Sequence, residues 1–136
     1  MKFDSKYTDE IYTSNTAKLG ENALRSMQNT IYHNGGVGTI TGYYDAELSI
    51  LSVSDLMLHN LNHSYESLME QTKGSLKNLF YKRDAAFLDN ARFRQIKGEG
   101  EGRILTADGS PVYVRLYKED AVDTDGTPIW IMSVQM

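Results

Sequence analysis

The side chains that could do chemistry are few. The chain has 136 residues, three histidines and no cysteine. Without a thiol there is no disulfide framework, no thiolate zinc site, no iron–sulfur cluster and no cysteine nucleophile. His59 and His63 stand four residues apart, a spacing that lets two imidazoles share one helix face and grip a metal. The helical pattern ends between Asn60 and His63, however, so both read as helix-end or surface histidines and no metal site is expected. His59 as a phosphoacceptor would need a long dimeric helix, whereas its own helix is short and flanked by Leu56, Met57, Leu58 and Leu61. His33 falls near a helix C-terminus, where a cation complements the backbone dipole. A Ser–His–Asp triad needs a nucleophile placed on an elbow, and no motif marks one. Gly36, Gly38 and Gly42 lack the G-x-G-x-x-G spacing between a strand and a helix that cradles a phosphate. No catalytic residue is expected; the chemistry that remains is binding.

Composition narrows the partners. The length fits one domain, able to bury enough surface to fold without a metal or disulfide. Hydrophobic residues make up 40% and charged residues 24%, and the net charge is -4. A nucleic-acid binder would want a basic excess, so none is expected as partner. No apolar run approaches the roughly 18 residues of a membrane span, and Met1–Glu10 has no apolar core of a secretory signal. The expectation is a soluble, cytoplasmic protein without membrane contact in this segment.

The elements that must position any site follow from periodicity. Residues 1–20 are polar with scattered apolar points, a lead-in or the first turns of a helix. Leu24, Met27 and Ile31 recur at i, i+3 and i+7 and predict an amphipathic helix over 22–33, stopped by Asn34-Gly35-Gly36. Val37–Tyr44 and Leu48–Val53 predict a hairpin around Asp45-Ala46-Glu47. Ser54 caps a short helix at 55–61, with Asn62 in the left-handed conformation at its end. Ser64 caps another at 65–71, and Leu76, Leu79 and Phe80 make one apolar turn. Asp84 is expected to cap a longer helix to about Lys97, with Phe87, Leu88, Ala91 and Ile96 as its buried stripe. Gly98–Gly102 is too glycine-rich for a helix interior, and residues 97–103, with Lys97, Glu99, Glu101 and Arg103, read as a solvated loop. Three strands follow: Arg103–Ala107, a hairpin at Asp108-Gly109, Pro111–Glu119, a turn at 124–127 and Pro128–Met136. Val112, Val114 and Leu116 alternate with Tyr113, Arg115 and Tyr117, a clean period of two. Strands joined by tight turns are antiparallel neighbours. The expected class is α+β: a five-stranded antiparallel sheet with several short helices and one longer helix on one face, plus the N-terminal helix.

This element order, with its motifs, resembles the PAS domain family. Val53-Ser54-Asp55-Leu56-Met57-Leu58 looks like the family's V-S-D-x-F-L entry into its first core helix. Asn62–Met69 stands where many members have G-Y-S-x-E-E-L, and Ser75–Phe80 is similar to S-L-x-x-L-I. Of the H-P-D-D motif only Asp84 survives, in Tyr81-Lys82-Arg83-Asp84. Gly102–Ser110 resembles the x-R-x-x-x-x-D-G-S hairpin. The resemblance spans about 36–136, which divides the chain into a lead-in with its amphipathic helix (1–35) and a PAS-like domain (36–136). Many members follow the last strand with an Asp-x-Thr motif leading into an output helix; this chain ends at Met136, so an attached effector domain is expected in the natural protein.

The resemblance implies a sensory or interaction module of a larger signal transducer, whose effector is a histidine kinase, a diguanylate cyclase or a transcription regulator. It implies a ligand cavity between the sheet and the longer helix, with walls at Leu58, Leu61, Leu79, Phe87, Leu88, Ala91, Ile104, Val114, Leu116 and Ile131, and with Ser133, Tyr44 and Asn90 as inward polar groups. All of these are also ordinary core positions. Trp130 is assigned to a ligand stack, a sheet edge or a dimer face. The helix carrying Leu24, Met27 and Ile31 resembles the one that helps such domains form a homodimer. Cysteine-linked flavin and chromophore are excluded by composition, and haem lacks an axial histidine over 84–97; a small organic ligand of unknown identity is left. Two alternatives stay open: a purely structural dimerisation module without ligand, and a cone-shaped α+β enzyme resembling ketosteroid isomerase, which the early hairpin disfavours.

Overall fold

The computed structural model of the chain describes residues 2–3, 10–34, 38–85, 88 and 90–136. Among these residues seven strands form one sheet: β1 (Lys2–Phe3), β2 (Ile11–Thr13), β3 (Gly38–Tyr43), β4 (Ile50–Ser54), β5 (Gly98–Leu105), β6 (Pro111–Val122) and β7 (Pro128–Gln135). The helices are α1 (Glu21–Asn34), α2 (Asp55–Asn60), α3 (Tyr65–Thr72) and α4 (Asn90–Gln95), with 3-10 turns at Thr16–Lys18 and Leu76–Asn78. The sheet order is β1-β2-β4-β3-β7-β6-β5 and every pairing is antiparallel. The fold is the expected α+β class, with two extra short strands at one edge.

The sheet separates two cores. Its inner face, with α2, α3, α4 and the Leu76 turn, packs Ile40, Val53, Leu61, Leu68, Leu79, Ile104, Val114 and Trp130. Its outer face, with α1, packs Ile11, Leu19, Ala23, Met27, Leu51, Ile129 and Ile131. The stripe on α1 is therefore spent within the chain. Met27 is fully buried, while Leu24 and Ile31 are half-buried at its margin. Asn34, at the end of α1, donates its amide to the backbone carbonyls of Arg115 and Ser133, both at 3.1 Å. The Ser133 hydroxyl donates to the Thr30 carbonyl at 2.9 Å. These bonds fix the angle at which α1 crosses β6 and β7.

Local chemistry explains the short helices. The Ser54 hydroxyl accepts from the Met57 N–H at the start of α2 and from the Thr39 N–H across the sheet, at 3.3 and 3.0 Å. Ser64 and Ser67 close a reciprocal capping box on α3. Asn62 takes the expected left-handed conformation, φ 60°.

Three expectations are corrected. Residues 11–13 are a strand, because β2 lends its backbone to the otherwise open edge of β4. Gly98–Gly102 is no loop but the first half of β5, paired with Lys118–Val114. Its Gly-Glu alternation is itself a period of two, glycines inward and glutamates outward. The long helix from Asp84 is not formed: a turn covers 82–85 and α4 begins at Asn90. Asp84 instead takes the Arg103 guanidinium in a fork, Nε and Nη2 at 2.9 and 2.8 Å, and the Arg103 N–H at 2.9 Å. That arrangement ties the turn to β5 and holds the Asp84 carboxyl below the usual carboxylate range.

Candidate functional site

The space between β5–β6–β7 and α4 is where a ligand cavity was expected. It narrows to a void of about 40 Å³ lined by Phe80, Leu88, Phe93, Ile96, Gly98, Gly100, Glu101, Leu116, Lys118 and Met132. Of the predicted walls among the described residues, Leu88 and Leu116 reach it. Leu58, Leu61, Leu79, Ile104 and Val114 are buried in the same inner core without lining the void. Phe87 and the Asn90 side chain lie outside the described residues.

Three predicted members are misplaced. Ile131 and Ser133 face α1 on the outer side of the sheet, Ile131 in the second core and Ser133 bonded to Thr30. The inward residues of β7 are their neighbours Trp130, Met132 and Val134. Residues 129–134 are buried on both faces, so the alternation that settles register elsewhere is missing there. Ala91 is exposed on α4, and Phe93 takes the inward position. Trp130 belongs to the inner core rather than to a sheet edge. It is fully buried, edge-on to Phe93 with centroids 5.6 Å apart, and its indole N–H donates to the Tyr43 carbonyl at 2.9 Å.

The feature that the sequence reading missed is Lys118. It continues the inward series Val112, Val114, Leu116 on β6 and is 1% exposed. Its ammonium lies 4.9 Å from the ring centroids of both Tyr44 and Phe93. It donates to the Ile96 carbonyl at 2.9 Å, to Asp120 Oδ1 at 3.2 Å and to the Tyr44 hydroxyl oxygen. The Tyr44 hydroxyl donates in turn to Asp120. Arg94 covers the Tyr44 ring at 4.8 Å, and Lys97 approaches Asp120 at 3.9 Å. Burial pulls the Lys118 ammonium below its ordinary range, the Asp120 carboxylate opposes that, and Lys97 and Arg94 add to it. Burial and the bond to Asp120 push the Tyr44 phenol up. The buried ammonium borders the small, mostly apolar void.

The histidines divide. His59 is exposed at the end of α2, and His33 is exposed at the end of α1, stacked on Tyr117 with centroids 4.5 Å apart. His63 is buried between α2 and α3, its Nδ1 2.7 Å from the Ser67 hydroxyl. Its Nε2 has no hydrogen-bond partner among the described residues. Desolvation lowers its pKa. Among the described residues, no three His, Asp or Glu side chains converge as a metal centre, and no helix is long and apolar enough to cross a membrane.

With seven antiparallel strands, short helices on the inner face and a helix outside, the chain has a PAS-like fold. The crystal structure of the PAS domain of an HTR-like protein from Haloarcula marismortui is similar to it with a TM-score of 0.57, at 15% identity, over 82% of this chain and 95% of that one. No family model matches the sequence, and no curated protein matches it.

Proposed function

We propose that the chain is a sensory PAS module of a larger cytoplasmic signal transducer and has no catalytic activity of its own. Its attached effector is a histidine kinase, a diguanylate cyclase or a transcription regulator. The observation that carries this reading is the position of β7. It lies mid-sheet between β3 and β6, with Met132 against the inner void and Ile131 and Ser133 against α1. A change in the void therefore acts on the strand that also holds the outer helix. A ligand shifts the output only by its different affinity for the two arrangements. Native mass spectrometry of the purified protein, compared with its denatured mass, tests the reading. A bound small molecule lost on denaturation is the expected result, and bare protein under every loading condition argues against a ligand sensor.

A specific observation favours a second reading, a homodimerisation module without ligand. Tyr32 on α1 and Tyr113 on β6 are 85% and 56% exposed, on the same outer side of the sheet. A bare mass that doubles with concentration is its signature.

A further inference from the structure

We infer that the void beside Lys118 takes a short-chain monocarboxylate, its carboxylate on the Lys118 ammonium and its alkyl part over Gly100 between Phe93 and Leu88. This rests on the ligand-sensing reading above and gives that ligand a chemical class.

Charge is the first argument. Among the described residues, Lys118 and Lys97 both approach Asp120, and Arg94 adds a third cation near Lys118, over the Tyr44 ring with Asp45 on its far side. Asp120 is 37% exposed and so shares its charge with water, while Lys118 is 1% exposed. A second anion is therefore electrostatically welcome. Glu101 borders the void, but its side chain hydrogen-bonds Tyr113 on the outer face of the sheet and so does not supply that anion. A dianion such as phosphate is too costly to desolvate against one ammonium in an apolar void.

Space is the second argument. A methyl group added at Gly98 or Gly100 would meet nothing within 4 Å, whereas one at Gly102 would press on Phe80 at 3.0 Å. The inward side of β5 is thus bare just where the void lies. At about 10–15 Å³ per water by this measure, the void of about 40 Å³ holds roughly three waters, the size of an acid of about two or three carbons. Its remaining walls, Phe80, Phe93, Leu88 and Leu116, suit an alkyl group.

The exchange also links binding to the fold. All three Lys118 protons are already placed, on Tyr44, Ile96 and Asp120. An incoming carboxylate replaces the neutral Ile96 carbonyl with an acceptor of opposite charge. That frees the link between α4 and β5, at Ile96 to Gly98.

The test is a backbone amide NMR titration of the full chain with sodium propionate, against sodium chloride at equal ionic strength. The expected result is saturable shifts at Ile96, Gly98, Gly100 and Lys118. Binding should be at least tenfold weaker in Lys118→Met, and at least tenfold weaker for neutral propionamide on the wild type. Gly100→Val, which adds a side chain on the bare side of β5 where a Cβ meets nothing within 4 Å, should abolish it and stands in should Lys118→Met not fold. Equal affinity in Lys118→Met, or for propionamide, overturns the anion assignment. If propionamide binds and Gly100→Val removes it, the sensing cavity survives without the anion. If neither compound binds and native mass spectrometry finds no bound molecule, both readings fall together.

Discussion

His63 holds a buried imidazole with one satisfied nitrogen and one that faces no partner among the described residues. Protonating it would place a charge and an unsatisfied N–H in a desolvated site. Its folded pKa therefore lies below the ordinary 6.5, and the unfolded chain takes up the proton first. Stability is full above about pH 6.5 and falls as the pH drops from there to the folded pKa. One proton sets the limiting slope, about 1.4 kcal/mol per pH unit. Urea melts of wild type and His63→Gln from pH 7.5 to 5 check this: the variant should show the shallower loss, and parallel curves would refute it. Lys118 shows how far the residue scale was legible. Val112, Val114 and Leu116 announced the inward face of β6, and the same count of two lands on Lys118. A charged residue at an inward register position is the signal, and hydrophobicity alone passes over it. His63 carried no such signal, because its burial comes from the packing of α2 against α3.

Elements were legible where pattern and chemistry agreed. The helix at 21–34, the short capped helices and β6 stand close to their expected bounds because stripe, cap and alternation point the same way. β7 was found but its faces were reversed, since apolar residues fill both of its sides. β5 was partly missed because glycine weakens a strand on its own, and here pairing with the twelve-residue β6 supplies what propensity lacks. The pairing of β3 with its neighbours rests on a glycine that nothing in the sequence singled out. A Cβ at Gly42 would collide with the Ser49 carbonyl and the Trp130 indole. The first is backbone and the second a fully buried ring, so neither gives way cheaply. Gly42→Ala should cost about 1–3 kcal/mol or more by overpacking, read as a lower urea midpoint with an unchanged slope. A neutral outcome would mean that Trp130 has room to move. On the outer face the volume change is opposite but the sign is the same: Met27→Ala leaves a hole against Ile129 and Ile131 and should cost about 2–5 kcal/mol.

For the molecule as a whole, the question is whether α1 is a detachable lead-in or one layer of the fold. The division at residue 36 treats it as the former. Yet α1 and the segment before it shelter Leu51, Ile129 and Ile131, each at most 4% exposed. Removing residues 1–35 also takes away Ile11, Leu19, Ala23 and Met27, the other half of that core. A contiguous apolar sheet face does not stay solvated; it finds another copy or precipitates. The fragment 36–136 should therefore self-associate in light scattering at concentrations where the full chain keeps a defined mass. A monomeric fragment with an unchanged melting temperature would make α1 dispensable and the division correct. The same geometry constrains how a dimer of the full chain can form. Met27 already serves its own sheet, so the side of α1 left for a partner carries Ile31 and Tyr32, half-buried and exposed respectively. If α1 packs on a partner with its own contacts intact, Tyr32→Glu should abolish the dimer and leave stability nearly unchanged, while Met27→Ala lowers stability and leaves the mass alone. If α1 is instead exchanged between copies, Met27 lies in the intermolecular contact, and Met27→Ala should weaken the dimer as well. Mass against concentration for these two variants separates the two arrangements.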